Sequence, residues 1–210
     1  MKPIYGQFHD AIEETGGTSE VVVIGSNDAA GSSHWRIPEN ALRVICYDAL
    51  AEENDERRQA VVHSHAGILP FFRVETKAGP PSAWIEGISS LRPERNAQNF
   101  RSGSEEERVY ISDHQSFSSQ VLSPVMTLGS RGCSKFFILD LEGLDYDIAI
   151  TLFRSPDVLG VGCEHALMTS DEIILLRCAA IESGFRFAFG EEDAIFLRQS
   201  SAGKDDDEMP

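Results

Sequence analysis

Residues 20–65, EVVVIGSNDAAGSSHWRIPENALRVICYDALAEENDERRQAVVHSH, decide the fold class. They hold three short apolar runs, EVVVIG, RVICYD and AVVHSH, each rich in β-branched residues and of strand length. After the first run the chain breaks abruptly into small and polar residues. After the second comes ALAEENDERRQ, a segment of helical composition with carboxylates early and arginines late, the order the helix dipole favours. Strand, helix and strand at this spacing predict βαβ units and a parallel sheet.

Working outward, residues 3–15 read as an amphipathic helix stopped by Gly16 and Gly17. Downstream, ILPFFRVE and RVYISD read as strands, and the segment 77–107 between them, rich in Gly, Pro, Ser and charge, reads as an irregular insert. The α/β rhythm resumes with KFFILD as a strand. LDYDIAITLFRS follows as a helix with Leu144, Ile148 and Leu152 on one face. VLGVGCE is another strand. TSDEIILLRCAAIESG is a helix opened by a Thr169–Glu172 capping box and closed at Gly184. FRFAFG and DAIFLRQ, joined by GEED, predict an antiparallel hairpin at the sheet edge. The expectation is one α/β domain over 1–199 with a disordered acidic tail over 200–210.

Composition narrows the function classes. A formal net charge of −16 repels nucleic acid and anionic membrane at long range, so neither is expected as a partner. Four dispersed cysteines without a CxxC pair, an early charged N-terminus and no long apolar window lead to the expectation of a reducing, cytoplasmic setting. Composition leaves the oligomeric state open.

In an open parallel sheet, ligands bind beyond the carboxyl ends of the strands. Gly25 follows the first strand and permits close backbone approach, but GSNDAAG is neither a P-loop nor GxGxxG, so a plain turn remains its alternative. Asp48 ends the second strand, where an acid can hold ribose hydroxyls; its alternative is a helix N-cap. Asp140 and Glu142 end the FFIL strand ahead of Gly143, and a carboxylate there can act as general base toward a hydroxyl. Glu164 ends the next strand. His63 and His65 share a strand face but lack a partnering carboxylate or cysteine motif, so metal is not expected. His34 and Trp35 are open between pocket and packing, and Cys163 reads as a core thiol.

These strand ends also resemble a known family. FFILDLEGLDYDIAI is similar to the hydrophobic strand and Asp-x-Glu-Gly segment of the FkbM-type S-adenosylmethionine-dependent methyltransferases. VMTL at 125–128, ISSL at 88–91, VICYDAL, VGCEHALM and AAIESGFRF resemble further segments of that family in the same order, so the likeness covers about residues 20–198. It implies a Rossmann-like class I methyltransferase fold with a mostly parallel seven-stranded sheet, helices on both faces and a C-terminal antiparallel hairpin. It implies S-adenosyl-L-methionine as cofactor, with Gly25, Ser26 and Asn27 along its methionine part, Asp28 toward its ammonium, and Asp48 with Ala49 at its ribose. His65 is a further cofactor-site candidate and a second choice as base. Asp140 and Glu142 would border the methyl-transfer cleft, and the acceptor would be a hydroxyl of a small metabolite such as a sugar or glycosylated natural product. The chain departs from the family pattern at Val23, where an acid is usual, and at Ala49, where proline is usual. A catalytically inactive binding or regulatory domain is therefore the alternative. A nicotinamide-dependent oxidoreductase is a third reading, against which the missing GxGxxG counts.

Overall fold

The computed structural model describes residues 4–25, 35, 37–49, 57–75, 81, 85, 89–90, 104–141, 145–166 and 168–199. In chain order its elements are α1 (Ile4–Glu13), β1 (Ser19–Ile24), β2 (Arg43–Asp48), β3 (Arg57–Gln59), β4 (Val61–His63), β5 (Gly67–Val74), β6 (Ser89–Ser90), α2 (Glu105–His114), β7 (Gln115–Pro124), β8 (Ser134–Leu139), α3 (Asp145–Phe153), β9 (Val158–Glu164), α4 (Ser170–Glu182), β10 (Phe185–Phe189) and β11 (Asp193–Arg198). Seven strands form a mostly parallel sheet in the order β10-β11-β9-β8-β1-β2-β3. Only β11 runs against its neighbours, pairing antiparallel with both β9 and β10. The arrangement is mixed α/β and consistent with a Rossmann-like fold.

The apolar runs of β1, β8 and β9 are buried because helices cover both faces of the sheet. On one face Val22, Ile24, Phe137, Leu139 and Val161 pack with Ile148 and Leu152 of α3 and Leu176 and Ala180 of α4. On the other, Val21, Val23, Phe136 and Ile138 pack with Phe8 and Ile12 of α1 and with Trp35. The helix α4 starts where the sequence places it: Thr169 Oγ1 accepts from Glu172 N, and the Glu172 carboxylate accepts from Thr169 N.

Several expectations need correction. AVVHSH is not the third strand of the main sheet. That place belongs to Arg57–Gln59, read from composition as the end of a helix, because the open edge of β2 offers backbone partners to it. After Ala60, whose N–H donates to Asp48 O at 3.0 Å, the chain passes directly into β4 of a second sheet, ordered β4-β7-β5-β6. RVYISD is helix α2, not a strand: Ser104 and Glu107 form a capping box, and Glu105, Glu106 and Glu107 occupy the first turn. That box also shortens the expected irregular insert, whose last residues, 104–107, are ordered. The C-terminal antiparallel hairpin does form at the sheet edge, with β10 outermost and β11 pairing with β9.

The second sheet covers Phe72 and Val74 with Ile85 and Ile111 of α2. It is tied to the main core through Val62, which packs with Ile24, Val125 and Leu128. Among the described residues no helix is long and apolar enough to cross a membrane. The remainder of the insert and the acidic tail lie largely outside the described residues.

Candidate functional site

The main sheet reverses its winding between β1 and β8: β2 and β3 extend it one way, β8 and β9 the other. At such a switch point the connecting loops diverge and leave a crevice beyond the strand ends. Gly25, Asp48 and Asp140 stand together at that edge. The ladder runs one residue past the strands, with Gly25 N donating to Tyr47 O at 2.9 Å and Asp140 N donating to Ile24 O at 2.9 Å. Gly25 has φ 91°, and a Cβ there would lie 1.7 Å from the Asp140 carbonyl oxygen. Glycine is therefore required by the β8 end alone, without a ligand. Asp48 is buried and Asp140 is exposed. Ser26, Asn27, Asp28 and Glu142 lie outside the described residues.

A cavity of about 350 Å³ opens beside Asp140, lined by Tyr5, Trp35, Leu139, Asp140, Glu164, Glu192 and Asp193. Trp35 can pack directly on β9 because position 162 is glycine; a Cβ there would meet the indole at 2.4 Å. Tyr5 meets Trp35 edge-on with ring centroids 5.2 Å apart. Its hydroxyl donates to Asp193 Oδ2 at 2.5 Å. Burial first, and then that bond, push the phenol up to about 12, so Tyr5 is a neutral donor.

Asp145, at the start of α3, is 2% exposed. Its Oδ2 accepts from Leu141 N at 3.4 Å, while Oδ1 is buried without a hydrogen-bond partner among the described residues. Burial above all, then the negative charges of Asp140 and Glu164, hold its carboxyl well above the usual carboxylate range. Asp145 opens α3, where an acid favours the helix dipole, but it does so as a buried acid. Cys163 matches its reading as a core thiol, pushed up by burial and by neighbouring carboxylates.

The other sequence candidates lie elsewhere. Ala49 lines a separate cavity of about 460 Å³ between the β3–β4 junction and the second sheet, with Arg73, Ser118 and Ser119. His65 is exposed in the turn after β4 and does not line the cavity beside Asp140. Its ring stacks edge-on with His63 at 4.3 Å, and the Ser64 hydroxyl lies 3.2 Å from Nδ1 of each. Among the described residues, the one trio of ligating side chains close enough together for a metal ion is His9, Asp10 and Glu13 on α1.

Sequence reasoning found Asp140 and Glu164 and left Trp35 open, but missed Tyr5, Glu192 and Asp193. The acidic GEED turn was the available signal for the last two. Nothing local marks Tyr5, which reaches Asp193 from 188 residues away. Comparison with known proteins finds no matching family model, no matching curated protein and no matching solved structure.

Proposed function

We propose that the chain is an S-adenosylmethionine-dependent O-methyltransferase of the FkbM-like kind, acting on a hydroxyl of a small metabolite. The observation that carries this reading is the side-by-side placement of Gly25, Asp48 and Asp140 at the switch point of a sheet whose one reversed strand is the last. The mostly parallel seven-stranded sheet with its C-terminal antiparallel hairpin is in keeping with the fold class that the sequence resemblance implies. S-adenosylmethionine supplies an already activated methyl group on a sulfonium. Gly25 would let the methionine part pass close to the backbone, Asp48 would take the ribose hydroxyls, and Asp140 would receive the acceptor proton. S-adenosylmethionine would supply the methyl group to the acceptor oxygen and leave as the neutral thioether, and the Asp140 carboxylate would take the hydroxyl proton. The protein's contribution is alignment of the three atoms and removal of that proton.

A second reading, a silent binding or regulatory domain, is favoured by Val23. Its side chain is fully buried against the α1 face of the sheet, where the family usually has an acid. Calorimetric titration with S-adenosylmethionine separates the two. Binding is expected, with Asp140→Asn retaining affinity within about threefold and losing about 100-fold or more in turnover of an accepted hydroxyl compound. Absence of binding at millimolar cofactor would remove the enzyme reading, and retained turnover in Asp140→Asn would remove Asp140 as the base.

A further inference from the structure

The middle of α4, residues 173–181, presents apolar side chains inward and outward alike. Leu176 and Ala180 enter the core, as the inner face of a covering helix should. On the outer face Ile174, Leu175 and Ile181 are 56%, 54% and 64% exposed, and Cys178 among them is exposed as well. At about 100° per residue these four positions fall within a third of the helix circumference, so they form one stripe about two turns long. Single exposed apolar side chains are ordinary; a continuous stripe of them is not. Two further observations set this stripe apart. Between Glu172 and Glu182 the sequence holds no carboxylate, in a chain whose formal net charge is −16. The one charge in that interval, Arg177, is turned aside: its guanidinium lies 4.8 Å from the ring centroid of Phe189 and 5.3 Å from that of Phe187, both on β10.

We infer that this stripe is the interface of a homodimer, in which α4 packs antiparallel on α4 of a second copy with the two Cys178 side chains facing each other across the two-fold axis. The stripe is self-complementary in that arrangement. Ile174 precedes Cys178 by four residues and Ile181 follows it by three, so a reversed partner sets isoleucine against isoleucine, and the small cysteine at the crossing lets the helices approach closely. Asp171 and Glu182, exposed at the two ends, form the polar rim. Two copies at −16 repel at long range, and a carboxylate-free stripe is where that repulsion costs least. Three large side chains more than half exposed amount to on the order of 300 Å² of apolar surface per copy, and with the rim the pair reaches about 1,000 Å² in total, the lower bound for a specific interface. The dimer is therefore a weak one, with a Kd of about 50 μM. It does not rest on the methyltransferase reading: no residue of α4 lines the cavity beside Asp140.

Sedimentation velocity of the full chain from about 1 to about 300 μM tests the interface. A monomer–dimer equilibrium is expected, and it is expected to tighten as salt rises, since screening relieves the repulsion between acidic copies. Ile174→Glu and Ile181→Glu, at exposed positions and each checked for folding by circular dichroism, are expected to weaken the dimer at least about thirtyfold. Copper-catalysed air oxidation of the dimer is expected to join the two subunits through a Cys178 disulfide; Cys178→Ser is expected to abolish that link and leave the equilibrium within about threefold. A chain that stays monomeric throughout the range overturns the proposal, whether its stripe is then found bare, covered by residues 200–210 of the same chain or held by a different protein. A dimer that ignores both glutamate substitutions, or that falls apart as salt rises, overturns it in favour of another surface. A dimer in which no disulfide forms, or in which the disulfide persists in Cys178→Ser, overturns the antiparallel placement.

Discussion

At the scale of single residues, Asp145 is where folding and site chemistry pull against each other. Its carboxyl titrates well above the usual range in the folded chain, so between the ordinary carboxylate value and that raised value the folded state holds a proton that the unfolded state has released. The sign follows directly. This group's stabilising contribution is complete below the unfolded value and is lost as pH rises through the folded one. Asp145→Asn keeps an oxygen to accept from Leu141 N and removes the ionisable group. The variant is expected to melt at higher temperature than the parent at pH 8, and the difference is expected to shrink toward zero near pH 4. Thermal melts of both proteins across that range test it; a gap that grows as pH falls would contradict the assignment. The sequence offered only an acid in the first turn of a helix, and burial cannot be read from a turn.

Among the elements, α3 and α4 are held at their C-terminal ends by one side chain. Arg198, on β11, donates to Val158 O at 2.7 Å, Ser155 O at 2.7 Å, Ser183 O at 3.1 Å and Phe153 O at 3.3 Å. Its guanidinium also sits 4.4 Å from the centroid of Phe185. Helix ends leave carbonyls without intrahelical partners and carry partial negative charge, so a planar cation with five donors serves both helices at once. Arg198→Met is expected to cost about 3 kcal/mol in urea denaturation, and Arg198→Lys to recover only part of that, because a single ammonium cannot span the four carbonyls. The elements themselves were unevenly legible. The runs at β1, β2, β8 and β9 and the capping box of α4 were readable because their signals are local. The strand β3, RRQ, has no apolar pattern at all; it is a strand because β2 leaves an edge beside it. The strand β7, QSFSSQVLSP, is mostly serine and glutamine with exposed positions along its length, so periodicity gave no warning of it. The capping box that begins α2 was present in the sequence and outweighs the β-branched residues after it.

For the whole molecule, the question is whether the two sheets melt as one body. Val62 is the residue of β4 that enters the main core, 2% exposed and packed with residues of β1, the turn at Val125 and Leu128. Val62→Ala is expected to lower stability by about 2 kcal/mol while leaving a single cooperative transition, seen by far-ultraviolet circular dichroism and by tryptophan fluorescence at the same urea concentration. Separation of the two signals would mean that the second sheet unfolds independently. A mostly parallel α/β sheet closed by an antiparallel hairpin followed from the sequence in outline; the strand order and the second sheet did not. It is assembled from β4, β5, β6 and β7, whose partners are up to several tens of residues apart, and no single segment records that pairing.

The junction at Ala60 has a mechanical meaning. Its N–H is bonded to the Asp48 carbonyl, and the residues on either side belong to different sheets. One residue separates the two strands, so the spacing of the sheets at this joint is set by the backbone around Ala60 and Asp48. The second sheet is thus joined to the residue proposed to hold the cofactor's ribose by a single residue and one backbone hydrogen bond, beside a groove of about 460 Å³.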